Sequence, residues 1–358
     1  MGGYLLLDVG AGTLDVLFYD DRSGLNYKAV VKSPVLYLAE RAQSISGNLL
    51  ITGVEMGGGN LLDVLSDRAR NAQVVVCASA AHTLSHNPDR IRKAGITIIE
   101  DSEAPKFAAS GGYTSLNLSD FPHEHLESMV RSFGVPFQFD VVGVCAQDHG
   151  VPPAGGSHLD FRHEIIKAAL DQKPSAETLL YEKGNVPVFL NRLRSAAETA
   201  SKLPCKEVYV MDSGIAAILG ASTDFQLRDS KRFMVIDIAT SHTVCAAIEE
   251  GEIAGLVEYH TRDLSLEKLE SLLVDLADGK LSHKQVLAEG GHGAYTRKAF
   301  GFEAVEHIVA TGPKRRLATN SKLPISFGAP LGDNMMTGTT GLLEAIRRRK
   351  GLDFSLHL

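Results

Sequence analysis

Short apolar runs of strand length alternate along the chain with stretches whose apolar residues recur every three or four positions. Period-2 or continuous apolar runs predict strands, the longer period predicts helices, and their alternation predicts an α/β fold. The first thirty residues read as three consecutive strands, YLLLDVG, LDVLFYDD and YKAVVKSP. The loop AGT and the turn DRSG join them, with Gly, Asp and Ser supplying the turn chemistry. NLLITGVEM, AQVVVCASA and GITIIED then predict strands, with helices at NLLDVLSDRARN and NPDRIRKAG. FDVVGVCAQ predicts a strand running into the Gly/Pro-rich loop DHGVPPAGGSH. A helix follows around VFLNRLRSAAETASKL, then a strand and a helix start in KEVYVMDSGIAAILGAS.

A second three-strand beginning follows: RFMVIDIAT, HTVCAAIEEGEI and IAGLVEYHT repeat the order strand, tight loop, strand, turn, strand. The helix LSLEKLESLLVDLADG, the strand EHIVATG, the loop ISFGAPLGDN and a final helix TTGLLEAIRRRK complete the pattern. One supersecondary unit thus occurs twice, at about residues 3–33 and 232–262, which predicts two related halves. The polar, non-periodic segment STDFQLRDSK separates them, so the expected domains are 1–222 and 223–358. The stretch from about residue 34 to 205 is long for such a half and predicts an insertion.

A length of 358 residues accommodates two domains at about 150 residues each. Hydrophobic residues at 44% and charged residues at 22% exclude disordered and fibrous classes. The net charge of −7 argues against nucleic acid or an anionic membrane as partner. No apolar run approaches the roughly 18–20 residues that span a bilayer, and MGGYLLLDVGAG lacks the basic start of a signal peptide. Cys77, Cys145, Cys205 and Cys245 are widely spaced and flanked by apolar residues, which predicts buried free thiols in a reducing cytoplasm. Without C-x-x-C spacing, a zinc ribbon, a thioredoxin-type pair and a cysteine-held iron–sulfur cluster are excluded.

The candidate chemistry lies in the repeated tight loops. Asp8-Val9-Gly10-Ala11-Gly12-Thr13 follows the first strand, and backbone N–H groups near the glycines can form an anion-binding nest. Thr13 adds a hydroxyl, and Asp8 at the strand end is placed to hold Mg²⁺ beside a phosphate. A plain Gly-rich hairpin is the alternative. The second unit offers Asp237-Ile238-Ala239-Thr240-Ser241-His242 at the matching place. Two such loops facing across a cleft would clamp a polyphosphate from both sides.

With these loops, the chain resembles the actin/sugar-kinase/heat-shock-chaperone ATPase superfamily. DVGAGTLDV is similar to its first phosphate loop and VIDIATSHTV to its second. VYVMDSGIAAILGA resembles the first connecting segment, through Asp212, Gly214, Ala216, Ala217 and Gly220. EHIVATGPKR resembles the adenosine motif, through Ala310, Thr311 and Gly312. GDNMMTGTTGLLEA resembles the second connecting helix, with Gly338 and Gly341 as close-packing positions. VVGVCAQDHG is similar to the strand end G-Q-x-H-G of carbohydrate kinases, with Gln147 and His149 in matching places.

The resemblance implies two ribonuclease-H-like domains around a cleft for ATP and Mg²⁺. By it, Asp8 and Asp237 would handle the metal, and Gly10, Ala11, Gly12, Thr13, Ala239, Thr240, Ser241 and His242 the phosphates. Thr311, Gly312 and Gly338 would serve the nucleotide, and Gln147 or Asp148 would position an acceptor or a water. The pattern departs from the family where Ala239 and Ser241 replace glycines, where Asp15 replaces a frequent Lys or Arg, and where Pro313 follows a single glycine. Within the superfamily the nearest likeness is a branch often labelled pyruvate formate-lyase activating enzyme. The absence of closely spaced cysteines contradicts a radical-SAM reading of that label.

Seven of the 13 histidines (His82, His86, His123, His125, His149, His158, His163) fall within residues 82–163. His158, Asp160 and His163 could supply nitrogen and oxygen ligands to a metal, though no established zinc spacing occurs. Gly53 to Gly59 form another glycine cluster, able to bind an anion or to serve as a flexible loop. Gly290-Gly291-His292-Gly293 reads as a turn. Lys314-Arg315-Arg316 could reach a nucleotide, and Arg347-Arg348-Arg349-Lys350 reads as a solvated helix end. The expected function is thus a Mg-dependent ATPase or phosphotransferase. The alternatives are a nucleotide-responsive binding protein without turnover, with a small-molecule or protein partner, and a histidine-based metal-dependent hydrolase.

Overall fold

In the first half of the computed structural model, which describes residues 2–153 and 155–353, β1 (Gly3–Val9), β2 (Thr13–Asp20) and β3 (Asn26–Lys32) form an antiparallel meander. The chain then leaves this sheet. β4 (Asn48–Gly53), β5 (Val74–Cys77), β6 (Thr97–Ile99) and β7 (Tyr113–Leu118) make a separate parallel sheet ordered β6-β5-β4-β7. It has its own core, including Leu49, Ile51, Leu65, Val76 and Leu116. β8 (Phe139–Ala146) returns to lie parallel beside β1, and β9 (Leu180–Glu182) and β10 (Cys205–Asp212) complete the order β3-β2-β1-β8-β10-β9. The insertion therefore spans residues 34–138, the first part of the predicted stretch, and its last part, with Phe121, Leu126 and Val130, already packs on the first sheet. The rest of that stretch belongs to the first sheet and its helices.

The second half repeats the plan. β11 (Arg232–Ile238), β12 (His242–Glu249), β13 (Glu252–His260), β14 (Gly293–Thr296), β15 (His307–Thr311) and β16 (Ile325–Phe327) are ordered β14-β13-β12-β11-β15-β16. Setting aside the edge strands β9 and β14, both sheets read third, second and first strand of an antiparallel meander, then two strands parallel to the first. That order defines a ribonuclease-H-like half, present twice. β16 falls within the stretch expected to be a loop, because only three residues pair.

Two helices join the halves. In Ser213–Ala221 every residue from Ile215 onward is buried, and in Thr337–Lys350 every residue from Thr337 to Ile346 is buried. They cross where a Cβ on Gly220 would stand 1.8 Å from the Thr337 carbonyl oxygen, and one on Gly341 would stand 1.8 Å from that of Ala216. Both glycines are required by backbone contact. The helices carry one apolar core that takes in Leu6 and Leu17 of the first sheet and Val235 and Val244 of the second.

Helices Pro34–Ser44, His123–Ser132 and His158–Gln172 lie outside the predicted helical segments, although the first buries Val35, Leu38, Ala39 and Ala42 and the second Leu126 and Val130 at helical spacing. The last buries only Arg162, Ile166 and Leu170, so one turn of its inward stripe is an arginine. No described helix is long and apolar enough to cross a membrane.

Candidate functional site: an acidic cleft between the halves

Because β1 and β11 occupy the same place in their sheets, their ends bring Asp8 and Asp237 to the wall of one cleft of about 600 Å³. Both tight loops line it. In each, the residue two after the acid closes the same turn: Gly10 N donates to Thr13 O at 3.0 Å and Ala239 N to His242 O at 3.1 Å. Neither Gly10 nor Gly12 adopts a positive φ. Alanine and serine at 239 and 241 therefore build the turn that glycine builds in the first loop. The loops also touch, since a Cβ on Gly12 would lie 2.8 Å from the Thr240 side chain.

Asp8 sits at the first turns of both connecting helices. Its Oδ1 accepts from Ser213 Oγ at 2.9 Å, and a Cβ on Gly338 would collide with its Oδ2. Helix N-termini favour an anion. Burial nevertheless pushes the Asp8 carboxyl up to about 7, against the Ser213 bond and with the charge of Asp237 adding to the rise. Burial likewise lifts Asp237 to about 6, while the hydroxyl of Thr311 donates to its Oδ1 at 2.9 Å. Asp15, opposite Asp8 in the β1–β2 register, is raised to about 8 by burial and by the charge of Asp8, and its Oδ1 has no hydrogen-bond partner.

Of the nominated residues, Asp8, Gly10, Ala11, Gly12, Thr13, Gln147, Asp148, Asp237, Ala239, Thr240, Ser241, His242, Gly312 and Gly338 all line the cleft. Thr311 does not: it is fully buried beneath the wall, and its hydroxyl holds Asp237. Both oxygens of Asp148 are engaged by backbone donors, Gly150 N at 2.8 Å and Leu193 N at 3.0 Å, so it anchors the start of helix Asn191–Ala200. Gln147 reaches across the cleft, donating from Nε2 to Glu258 Oε1 at 2.6 Å. Of the basic cluster, Lys314 donates to the Thr240 carbonyl and so fastens the second loop. At the end of the last helix, Arg347 and Arg348 pair with Glu344 and Lys350 with Glu207, so these cations are engaged rather than simply solvated.

Several residues in or behind the cleft wall carry no local sequence signal. Buried Arg162 grips Asp212 through two 2.9 Å bonds and Glu258 at 2.6 Å, linking the halves. Burial disfavours the charge on Glu258, yet Arg162 and the surrounding histidines hold its carboxyl down at about 2. Arg192 is bidentate to Asp120 of the inserted layer, donates to the Gln147 carbonyl, and stands over Gly57 of the second glycine cluster. Gly57, Gly58 and Gly59 thereby become cleft wall. These contacts bring together segments far apart in the chain, which no spacing rule anticipates.

The histidines are distributed differently from expectation. His158 Nδ1 is bonded to the Gly150 carbonyl, Asp160 pairs with His283, and His163 stacks on His283, so these three do not converge. Those that do are His242, His260 and His292 of the second half, with the ring of His149 5.9 Å from that of His292. Burial lowers His149 to about 3 and His242 to about 4, so both rings are neutral at pH 7.

Two ribonuclease-H-like halves joined by a pair of connecting helices around a shared cleft define the actin-like ATPase fold. The chain belongs to the family described as "Putative pyruvate format-lyase activating enzyme (DUF1786)", which matches residues 56–317. Similar solved structures include the ethanolamine utilization protein EutJ of Carboxydothermus hydrogenoformans, at 9% identity, covering 96% of this chain and 89% of that one with a TM-score of 0.30. MreB5 of Spiroplasma citri bound to ADP is similar at 10% identity, 98% and 99% coverage and a TM-score of 0.33. The ROK hexokinase of Thermus thermophilus is similar at 12% identity, 98% and 99% coverage and a TM-score of 0.32. No curated protein matches the chain in sequence. The four cysteines lie on four different strands as free thiols, three buried and Cys205 half-buried, a donor set that does not fit a cysteine-held cluster.

Proposed function

We propose that the cleft binds Mg-ATP and that the protein is an ATPase or phosphotransferase. The observation that carries this reading is the pair of loops with one shared turn, each preceded by a strand-end carboxylate in the cleft wall and both facing a single cavity. The donor set fits a hard dication, because the Asp8 and Asp237 carboxyls, both held at raised pKa in one cleft wall, are stabilised as anions by a positive charge between them. Asp8 and Asp237 would hold Mg²⁺. When bound, the ion supplies charge neutralisation for the transferring phosphoryl group.

The chain's own residues position and enclose. Backbone N–H groups of residues 10–13 and 239–242 would receive the phosphates, helped by the first turns of the two connecting helices. Asp15, protonated at pH 7, would offer a hydrogen-bond donor where sugar kinases carry a cation. Gly312, whose φ of 88° and close contact with the Ile238 backbone require a glycine, would line the adenosine side of the cleft, and Thr311 would act through Asp237. Gln147, Arg162 and Glu258 tie the halves together and would keep water out of the closed cleft.

The engagement of Gln147 and Asp148 favours the second reading, a nucleotide-responsive binding protein that turns over slowly or not at all. Calorimetry with ATP and ADP, with and without Mg²⁺, run beside a phosphate-release assay separates the two. Mg-dependent binding with release supports the first and binding alone the second. Absence of binding removes both.

A further inference from the structure

We propose that His242, His260 and His292 form a binding site for a borderline transition-metal dication, Zn²⁺ being the natural probe, on the second-half wall of the cleft. His242 opens β12 and His260 closes β13, and the two are direct partners in the β12–β13 register. His292 precedes β14, and its backbone N–H donates to the Glu258 carbonyl at 2.8 Å, which pins its loop to β13. One ligand nitrogen from each ring lies within 4.8 Å of the other two, the one such grouping of three among the described residues.

Two of the three rings contact each other through their nitrogens, and the third ring has a nitrogen that no group satisfies. His292 Nε2 and His260 Nε2 stand 3.1 Å apart and can share a single proton. His242 Nε2 is buried with no partner at all. A Zn–N bond is about 2 Å, so nitrogens on a shared ion stand roughly 3–4 Å apart. The His260–His292 spacing already has that size, and the third nitrogen lies within 4.8 Å of both. A single dication would satisfy the three lone pairs together.

The surroundings complete the argument. Glu258 Oε1 lies 3.7 Å from His292 Nδ1, the ring nitrogen turned away from His260. Glu258 is itself fixed by Arg162 and Gln147. At that distance it is not a hydrogen-bond partner of the ring, but its negative charge beside the imidazoles favours a bound cation. An all-imidazole set selects Zn²⁺, Co²⁺, Ni²⁺ or Fe²⁺ over Mg²⁺. Three protein ligands leave a coordination position for a water or a substrate oxygen, as in catalytic zinc sites, and His242 and Glu258 both line the cleft. The site is separate from the carboxylates assigned to Mg²⁺ and does not depend on that assignment.

The test uses untagged full-length protein dialysed against chelator. Titration with Co²⁺, followed by visible d–d absorption, and Zn²⁺ equilibrium dialysis should both give about one equivalent, with Zn²⁺ displacing Co²⁺. His260→Ala and His292→Gln should weaken binding by about 100-fold or more, Glu258→Gln by about 10-fold, and His125→Ala not at all. Metal-free unfolding midpoints establish that each variant is folded, and two different ligand variants guard against the loss of one. Less than 0.1 equivalent bound, or unaltered binding in both ligand variants, overturns the proposal. Mg-ATP calorimetry on the same preparations reports the nucleotide reading separately, so either can fail alone.

Discussion

Asp8 is held by Ser213 at the meeting of two helix N-termini, with Asp15 and Asp237 as neighbouring acids. Asp8→Asn keeps the shape and the Ser213 contact but removes the charge. ATP turnover should fall by about 100-fold or more with the unfolding midpoint preserved, and unchanged turnover would reject the role. Asp15 gives a pH test. Its folded pKa of about 8 lies above the unfolded value near 4, so the folded state keeps the proton longer. The resulting cost is absent below pH 4, grows as pH rises, and is complete above pH 8. Asp15→Asn should therefore be neutral at pH 4 and stabilising by a few kcal/mol, to order of magnitude, at pH 8.5 without nucleotide, as read by urea unfolding at both pH values. Asp8 and Asp237 were legible in the sequence because each ends the first strand of a repeated unit. Glu258, His260 and His292 were not, because partners from distant segments define them.

At the scale of elements, the turn common to residues 10–13 and 239–242 shows that glycine spacing alone is a poor guide to this loop. The backbone there is ordinary, and the strand-end acid is the better signal. Gly220 and Gly341 were marked in the connecting segments by the resemblance alone, and Ser213–Ala221 and Thr337–Lys350 cross at these two glycines because so close a helix contact demands small residues. Gly341→Val would drive a branched side chain into the Ala216 carbonyl. It should cost about 3 kcal/mol or prevent folding, whereas Gly184→Ala, at an open position without a positive φ, should cost less than about 1 kcal/mol, both measured by chemical denaturation. Helix His158–Gln172 escaped the periodicity because its buried stripe includes Arg162, whose charge is needed between the halves.

For the whole molecule, the repeat at 3–33 and 232–262 gave the architecture, and the inserted layer of residues 34–138 supplied what the repeat could not: Asp120 and Gly57 against Arg192, closing one side of the cleft. The halves are fastened by Arg162 between Asp212 and Glu258. Arg162→Ala leaves two buried carboxylates without their cation and should cost about 3–5 kcal/mol at pH 7. Glu258 has a folded pKa near 2, below its unfolded value, so its stabilising contribution is complete above about pH 4.5 and is lost as pH falls toward 2. The difference between wild type and Arg162→Ala in urea unfolding should accordingly shrink below pH 4.

A crystal structure of the full chain grown with Mg²⁺ and a non-hydrolysable ATP analogue tests the central claim most directly. The account predicts the triphosphate between residues 10–13 and 239–242, with the ion beside Asp8 and Asp237. Nucleotide bound elsewhere, or a cleft free of nucleotide at saturating analogue, would contradict it.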